Sequence, residues 1–125
     1  MKKVFKNACV TGAGNGIGRS IAISLNKEGY NVVCADIDLK ALNETLQQMS
    51  NQKCKKIKIK CNVSILKDID KMIAKTVNEL GSLNIMVNNA GVTKSLSLFD
   101  LDEKHWEWMN NINAKGTFFL LTKIC

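Results

Sequence analysis

The sequence predicts an α/β fold, a doubly wound parallel sheet with helices on its faces, and three observations predict it. Short apolar runs rich in Val, Ile and Cys alternate with stretches of helical periodicity along the chain, the arrangement of βαβ units. The first run, Val4-Phe5 and then Ala8-Cys9-Val10, leads into a glycine-dense turn, Thr11-Gly12-Ala13-Gly14-Asn15-Gly16-Ile17-Gly18, that opens an amphipathic segment. A second run, Asn31-Val32-Val33-Cys34-Ala35, ends on a carboxylate, Asp36. No linker, repeat or change of composition divides residues 1–125, so they read as one unit.

The elements follow in order. Strand one covers about residues 4–10. The helix after it runs from Gly16 to about Glu28, with Ile17, Ile21, Ala22 and Leu25 on one face and Gly29 as its stop. Strand two spans about 31–35, and Asp38 is placed to cap a helix of about 39–50 striped by Leu39, Leu42, Leu46 and Met49. Strand three, about 56–61, lies in Lys53-Cys54-Lys55-Lys56-Ile57-Lys58-Ile59-Lys60-Cys61. Lysine and apolar residues alternate there with the period of a strand, which favours a charge-guarded sheet edge over a nucleic-acid surface. Ser64 reads as the N-cap of a long helix traced by Ile65, Ile69, Met72, Ile73, Val77 and Leu80 and ended by Gly81. Strand four is Leu83-Asn84-Ile85-Met86-Val87, followed by Asn88-Asn89-Ala90-Gly91. After a further loop, a helical region from Leu101-Asp102 is expected to run to the end of the chain.

Composition narrows the classes. The 46% apolar and 23% charged fractions are those of an ordinary soluble domain. No stretch approaches the ~20 apolar residues of a membrane span. Lys6 and Asn7 interrupt the N-terminal apolar run too early for a signal sequence, so the expected location is the cytoplasm, with no membrane partner. The five cysteines lack any C-x-x-C pairing and are read as reduced structural thiols. His105 is the sole histidine, and no metal site is expected. The net charge of +7 comes from scattered lysines, Arg19 being the one arginine, so no nucleic-acid partner is expected either.

A strand running into a glycine turn and then a helix is a way to hold a phosphate. Glycine permits tight turns and close backbone approach, and the helix N-terminus points unpaired N–H groups and a positive dipole at the same place. A carboxylate at the end of strand two is placed to accept from a ribose diol. The pair therefore predicts a dinucleotide site.

Four motifs in order, Thr11-Gly-x-x-x-Gly-Ile-Gly18, Asp36 after strand two, Asn88-Asn89-Ala90-Gly91 after strand four and Asn111-Ile112-Asn113-Ala114-Lys115-Gly116, resemble a short-chain dehydrogenase/reductase of the short TGxxxGxG type. The resemblance implies a Rossmann-type sheet, incomplete at about four strands, in the order 3-2-1-4. It implies that Gly12, Gly16, Ile17 and Gly18 wrap the cofactor pyrophosphate. Asn15 reads equally as a turn residue and as a phosphate or ribose contact, and Arg19 as a solvated helix residue rather than a phosphate ligand. Asn62-Val63 stands where the family usually has Asp-Val at the adenine edge. Asn62 departs from that pattern, although its amide can both accept and donate. Asn89, Ala90 and Gly91 would line the nicotinamide ribose, and Asn113 matches a catalytic asparagine that bends a helix and holds a water of the proton relay.

Asp36 favours NAD over NADP. A carboxylate 4 Å from a 2′-phosphate costs roughly 4 kcal/mol per charge pair at an effective dielectric near 20. Neither Asn15 nor Ile37, where NADP-preferring relatives often carry a cation, is basic.

The family's hydride transfer also uses a serine and a Tyr-x-x-x-Lys pair. The single tyrosine here, Tyr30, precedes strand two and is not followed by that lysine. Residues 1–125 are thus expected to be a partial NAD-binding domain, its C-terminal catalytic half absent, and inactive alone. The full-length form would be an oxidoreductase acting between a nicotinamide cofactor and a small alcohol or ketone. The alternative is a non-catalytic nucleotide-binding or interaction module. The region from Trp106 to Leu121 resembles a helix that pairs subunits in the family, which implies a homo-oligomer, with Trp106, Trp108, Phe118 and Phe119 as core or subunit-contact aromatics.

Overall fold

The computed structural model describes residues 7–90 and 103–111. Its elements are β1 (Asn7–Thr11), α1 (Gly16–Lys27), β2 (Asn31–Asp36), α2 (Leu39–Gln48), β3 (Lys56–Lys60), α3 (Leu66–Leu80), β4 (Ile85–Val87) and α4 (Glu103–Asn110). The sheet order is β3-β2-β1-β4, and every pairing is parallel. In register, Thr11 stands opposite Ala35, Val10 opposite Val87 and Asp36 opposite Lys60. The C-terminal ends of all four strands consequently share one edge, and the loops that leave them meet there.

Successive strand residues point to opposite faces, and two cores form accordingly. Cys9, Val33, Ala35 and Ile57 pack with Ile69 and Met72 of α3. Val10, Val32 and Cys34 pack with Ala22 of α1 and Leu42 of α2. Strands buried on both sides need the near-continuous apolar runs seen in β1 and β2. β3 is different because, among the described residues, it pairs only with β2. Its Ile57 faces the α3 core while Lys58 and Lys60 stay exposed. Lys56 Nζ donates to the carbonyls of Leu46 and Met49 at 3.3 and 3.0 Å, so one lysine of the edge strand caps the C-terminus of α2.

The opposite end of the sheet is tied by asparagines. Asn7 N donates to Asn84 Oδ1, Asn7 Nδ2 to Leu80 O and Ser82 Oγ, and Asn31 Nδ2 to Asn7 Oδ1. These bonds satisfy a fully buried amide that would otherwise be costly there.

Several boundaries differ from expectation. Strand four shortens to Ile85–Val87, because Asn84 already serves the Asn7 network. The second helix ends at Gln48, where Met49 turns to extended geometry and buries its side chain. The third helix starts at Leu66 with Ile65 at the cap position and no side-chain cap; Ser64 instead directs both its backbone N and its Oγ to Asn62 Oδ1. Residues 4–6 of strand one and the helical region beyond residue 111 lie outside the described residues.

Candidate functional site

A cavity of about 410 Å³ opens at the C-terminal edge of the sheet. Its walls are Thr11, Gly12, Asn15 and Ile17 from β1 and the glycine turn, Ala35, Asp36 and Ile37 from the end of β2, Cys61, Asn62 and Val63 from the end of β3, and Asn89 and Ala90 after β4.

The glycine turn is built for close approach. Gly12 sits at φ +66°, and a Cβ there would lie 2.9 Å from Asn89 Nδ2 and 3.1 Å from Ala90 Cα. A Cβ at Gly18 would overlap the Gly12 carbonyl and stand 2.5 Å from Asn89 Nδ2. Glycine at these positions lets α1 press its first turn against β1 and the segment after β4. Thr11 holds that segment in place. Its Oγ1 accepts from the backbone N of Asn89 and of Ala90, each at 3.0 Å, and donates to Val87 O at 3.4 Å.

The start of α1 is left open. Asn15 occupies the cap position in extended geometry with no side-chain cap bond, and no acidic residue lies in the first turn. Among the described residues, the amide N–H groups of that turn therefore have neither a helical partner nor a side-chain acceptor, the condition for receiving an anion. Ile17, 74% exposed, adds an apolar surface beside them.

Asp36 stands between this turn and the next helix. Its Oδ2 accepts from Gly14 N at 2.9 Å and its Oδ1 from Asp38 N at 3.1 Å. Two backbone donors thus orient the carboxylate at the cavity wall, and each oxygen keeps a further lone pair for a hydroxyl.

Of the residues expected at a cofactor site, Gly12, Asn15, Ile17, Asp36, Asn62, Val63, Asn89 and Ala90 line the one cavity. Gly18 is buried beneath the turn, while Gly16 lies on a shallow groove along α1 with Ile17, Ser20 and Ile21. Gly91 and Asn113 lie outside the described residues. Arg19 is not a solvated residue. Its Nε donates to Thr45 Oγ1 at 3.0 Å, and its Nη2 bonds Gly14 O, Ala41 O and Glu44 Oε2, so it clamps the glycine turn to α2. Asn62 keeps less freedom than expected, since Oδ1 accepts from Ser64 N at 3.0 Å and Ser64 Oγ at 2.6 Å.

Thr11, Ala35 and Cys61 reach the cavity without having been singled out as site residues, and Ile37, raised from the sequence only because it is not basic, joins them. For Ile37 a signal existed, a large apolar residue directly after the strand-ending acid, and it is 58% exposed. Burial pushes the Cys61 thiol up to about 12, with Asp68 adding to the shift, so it lines the wall as a neutral thiol.

These features define a class, an α/β domain with an open helix N-terminus and an oriented carboxylate at the carboxyl edge of a parallel sheet. A sequence profile described as short chain dehydrogenase matches residues 6–125. The chain belongs to that family. It is 37% identical over 122 residues to the 3-oxoacyl-(acyl-carrier-protein) reductase FabG of Staphylococcus aureus, covering 97% of this chain and 50% of that protein. It is 35% identical over 114 residues to a diacetyl reductase, (S)-acetoin forming, of Staphylococcus epidermidis, covering 91% of this chain and 44% of the relative. Among solved structures, a short chain dehydrogenase/reductase from Burkholderia phymatum in complex with NAD superposes with a TM-score of 0.89 at 27% identity, covering 96% of this chain and 42% of that one. The chain spans about half the length of the curated relatives it matches. Among the described residues no helix is long and apolar enough to cross a membrane.

Proposed function

We infer that residues 1–125 form the dinucleotide-binding portion of a nicotinamide-dependent alcohol/ketone oxidoreductase, with NAD as the preferred cofactor. The observation that carries this reading is the open N-terminus of α1 beside the oriented carboxylate of Asp36. A dinucleotide fits the site on the chain's own terms. Gly12 and Gly18 leave no room for side chains between the turn and the segment after β4, so the first turn of α1 presents bare backbone there.

In this reading the first turn of α1 takes the pyrophosphate, Asp36 accepts from the adenosine ribose diol, and Asn89 and Ala90 lie along the nicotinamide half. When bound, the nicotinamide supplies a hydride donor or acceptor at its C4. The chain's residues bind and orient the dinucleotide, with Ile37 and Val63 as apolar walls at its adenosine half and Ile17 beside the phosphates. Asp36 is the only charged residue on the cavity wall among the described residues, which supports NAD over a cofactor with a 2′-phosphate. Asn113, Gly91 and a homo-oligomeric contact through the C-terminal helix belong to the same proposal.

In this reading the tyrosine–lysine acid–base step is not carried out by residues 1–125, which contain no Tyr-x-x-x-Lys pair. The single tyrosine, Tyr30, immediately precedes β2, at the edge of the sheet opposite the cavity. Calorimetric titration of the 125-residue chain with NAD and NADP, together with NAD-linked turnover on a panel of alcohols and ketones, tests the reading. Saturable NAD binding, weaker NADP binding and no turnover are expected. Absence of dinucleotide binding by the folded chain overturns the binding role, and clear turnover overturns the division of labour.

A further inference from the structure

Asparagine is frequent in this sequence, yet Asn15 is the one asparagine followed by glycine. At an Asn–Gly step the side-chain amide is most open to attack by the next backbone nitrogen, because glycine puts no Cβ beside the attacking atom. The attack is intramolecular and closes a five-membered ring, so proximity favours it. The structure leaves this step open. Asn15 and Gly16 are both exposed, and the Asn15 side chain makes no cap bond. A Cβ at Gly16 would meet nothing within 4 Å outside the neighbouring backbone. The Gly16 N–H belongs to the first turn of α1, whose amides have no helical partner. Asparagines elsewhere are held: the side-chain amines of Asn7, Asn26, Asn31 and Asn51 all donate across the fold.

We propose that the Asn15–Gly16 step is a modification site at which the chain deamidates itself and so switches off dinucleotide binding. The second half of that statement rests on the dinucleotide reading above. The Gly16 backbone nitrogen gives its proton to solvent base and bonds to Asn15 Cγ. The Cγ–Nδ2 bond breaks, and the nitrogen leaves as ammonia with a proton returned by the solvent. Water then opens the cyclic imide on one side or the other. Breaking the bond from Cγ to Gly16 N yields aspartate. Breaking the bond from the main-chain carbonyl carbon to Gly16 N yields isoaspartate, with the main chain rerouted through Cγ. Water is the co-reactant, and nothing is oxidised or reduced. Either product sets a carboxylate at the start of α1, where the helix dipole favours it and where Asn15 lines the cavity. Isoaspartate also lengthens the main chain just after Gly14, whose N–H is bonded to Asp36 Oδ2. A bound pyrophosphate engages the same first-turn amides and takes the Gly16 nitrogen out of the reaction. The occupied site is protected, and the empty one is lost with time.

The test is incubation of the full chain in buffer at constant pH, alone and with saturating NAD, followed by proteolysis and mass spectrometry of the peptide that holds Asn15. The parent is expected to gain one mass unit at position 15 faster than at any other asparagine, giving both aspartate and isoaspartate peptides. Saturating NAD should slow that gain severalfold. After incubation alone, the chain should bind NAD severalfold more weakly in a calorimetric titration. Asn15→Gln, whose extra methylene removes the five-membered ring, should keep its starting NAD affinity through the same incubation. Modification at position 15 no faster than at the other asparagines overturns the proposal. So does a modified chain that binds NAD as before, or a rate that bound NAD leaves unchanged, and all three leave the dinucleotide reading intact. A parent that never binds NAD overturns that reading and the switch with it, while the mass measurement still judges the modification by itself.

Discussion

The helices α1 and α2 follow neighbouring strands of one sheet, yet they begin in opposite ways. α2 is closed at its N-terminus, where Asp38 Oδ1 accepts from Ala41 N at 3.1 Å and supplies a fixed negative charge to the helix dipole. α1 has Asn15 at the same position, turned so that its side chain makes no cap bond, and no acid in its first turn. One helix start is completed by the protein; the other, in the function proposed above, is left for a ligand. Asp36 touches both, through Gly14 N before α1 and Asp38 N before α2. The contrast teaches that the proposed binding site coincides with the place where an ordinary stabilising device has been withheld.

The contrast can be broken most severely at Gly18. Gly18→Val drives side-chain carbon into the Gly12 carbonyl and Asn89, so dinucleotide binding should be lost outright. Stability should fall by about 1–3 kcal/mol from overpacking, measured by calorimetric titration and urea unfolding. Asp36→Asn comes next. One of the two N–H groups it now receives would face an amine, costing about 1–3 kcal/mol of stability. NAD affinity should drop about tenfold, and the NADP-to-NAD affinity ratio should rise as the charge is removed.

Asn15→Asp sharpens the comparison by giving α1 the kind of cap that α2 has. The helix gains about 0.3–1 kcal/mol from the dipole, whereas dinucleotide binding weakens severalfold because the carboxylate takes the place of the anion. A variant that is both more stable and a poorer binder is the expected signature. Asp38→Ala is the smallest change. It removes a cap worth about 1 kcal/mol, visible as a lower urea midpoint, and should leave NAD affinity within error.

Much of the fold was readable from local pattern. The runs at Ala8–Val10 and Asn31–Ala35 are apolar at successive positions because both faces of β1 and β2 are covered, and the lysine alternation of β3 marks the edge strand it is. Asp38 was legible as a cap because the bond it makes spans three residues. Ser64 was misread for a related reason. Its residue type suits a cap, but Asn62, two residues upstream, competes for its hydrogen bonds, and residue type alone does not rank the two. Thr11 was visible only as the first letter of a glycine motif, although its hydroxyl holds the segment after β4 from 78 and 79 residues away.

By itself, then, the sequence determined the alternation of strands and helices, the two-sided burial of β1 and β2 and the glycine turn with its following carboxylate, since each depends on neighbours within a few residues. The tertiary structure alone decided that Arg19 is a clamp onto α2 and no free cation, that Thr11 ties β1 to the end of β4, and that the Asn62 side-chain oxygen is taken up by Ser64. Those outcomes depend on which atoms meet once separate strand ends reach one edge of the sheet. Hydrogen-bond polarity is assigned only there, where each fixed backbone donor selects the side-chain oxygen that must face it.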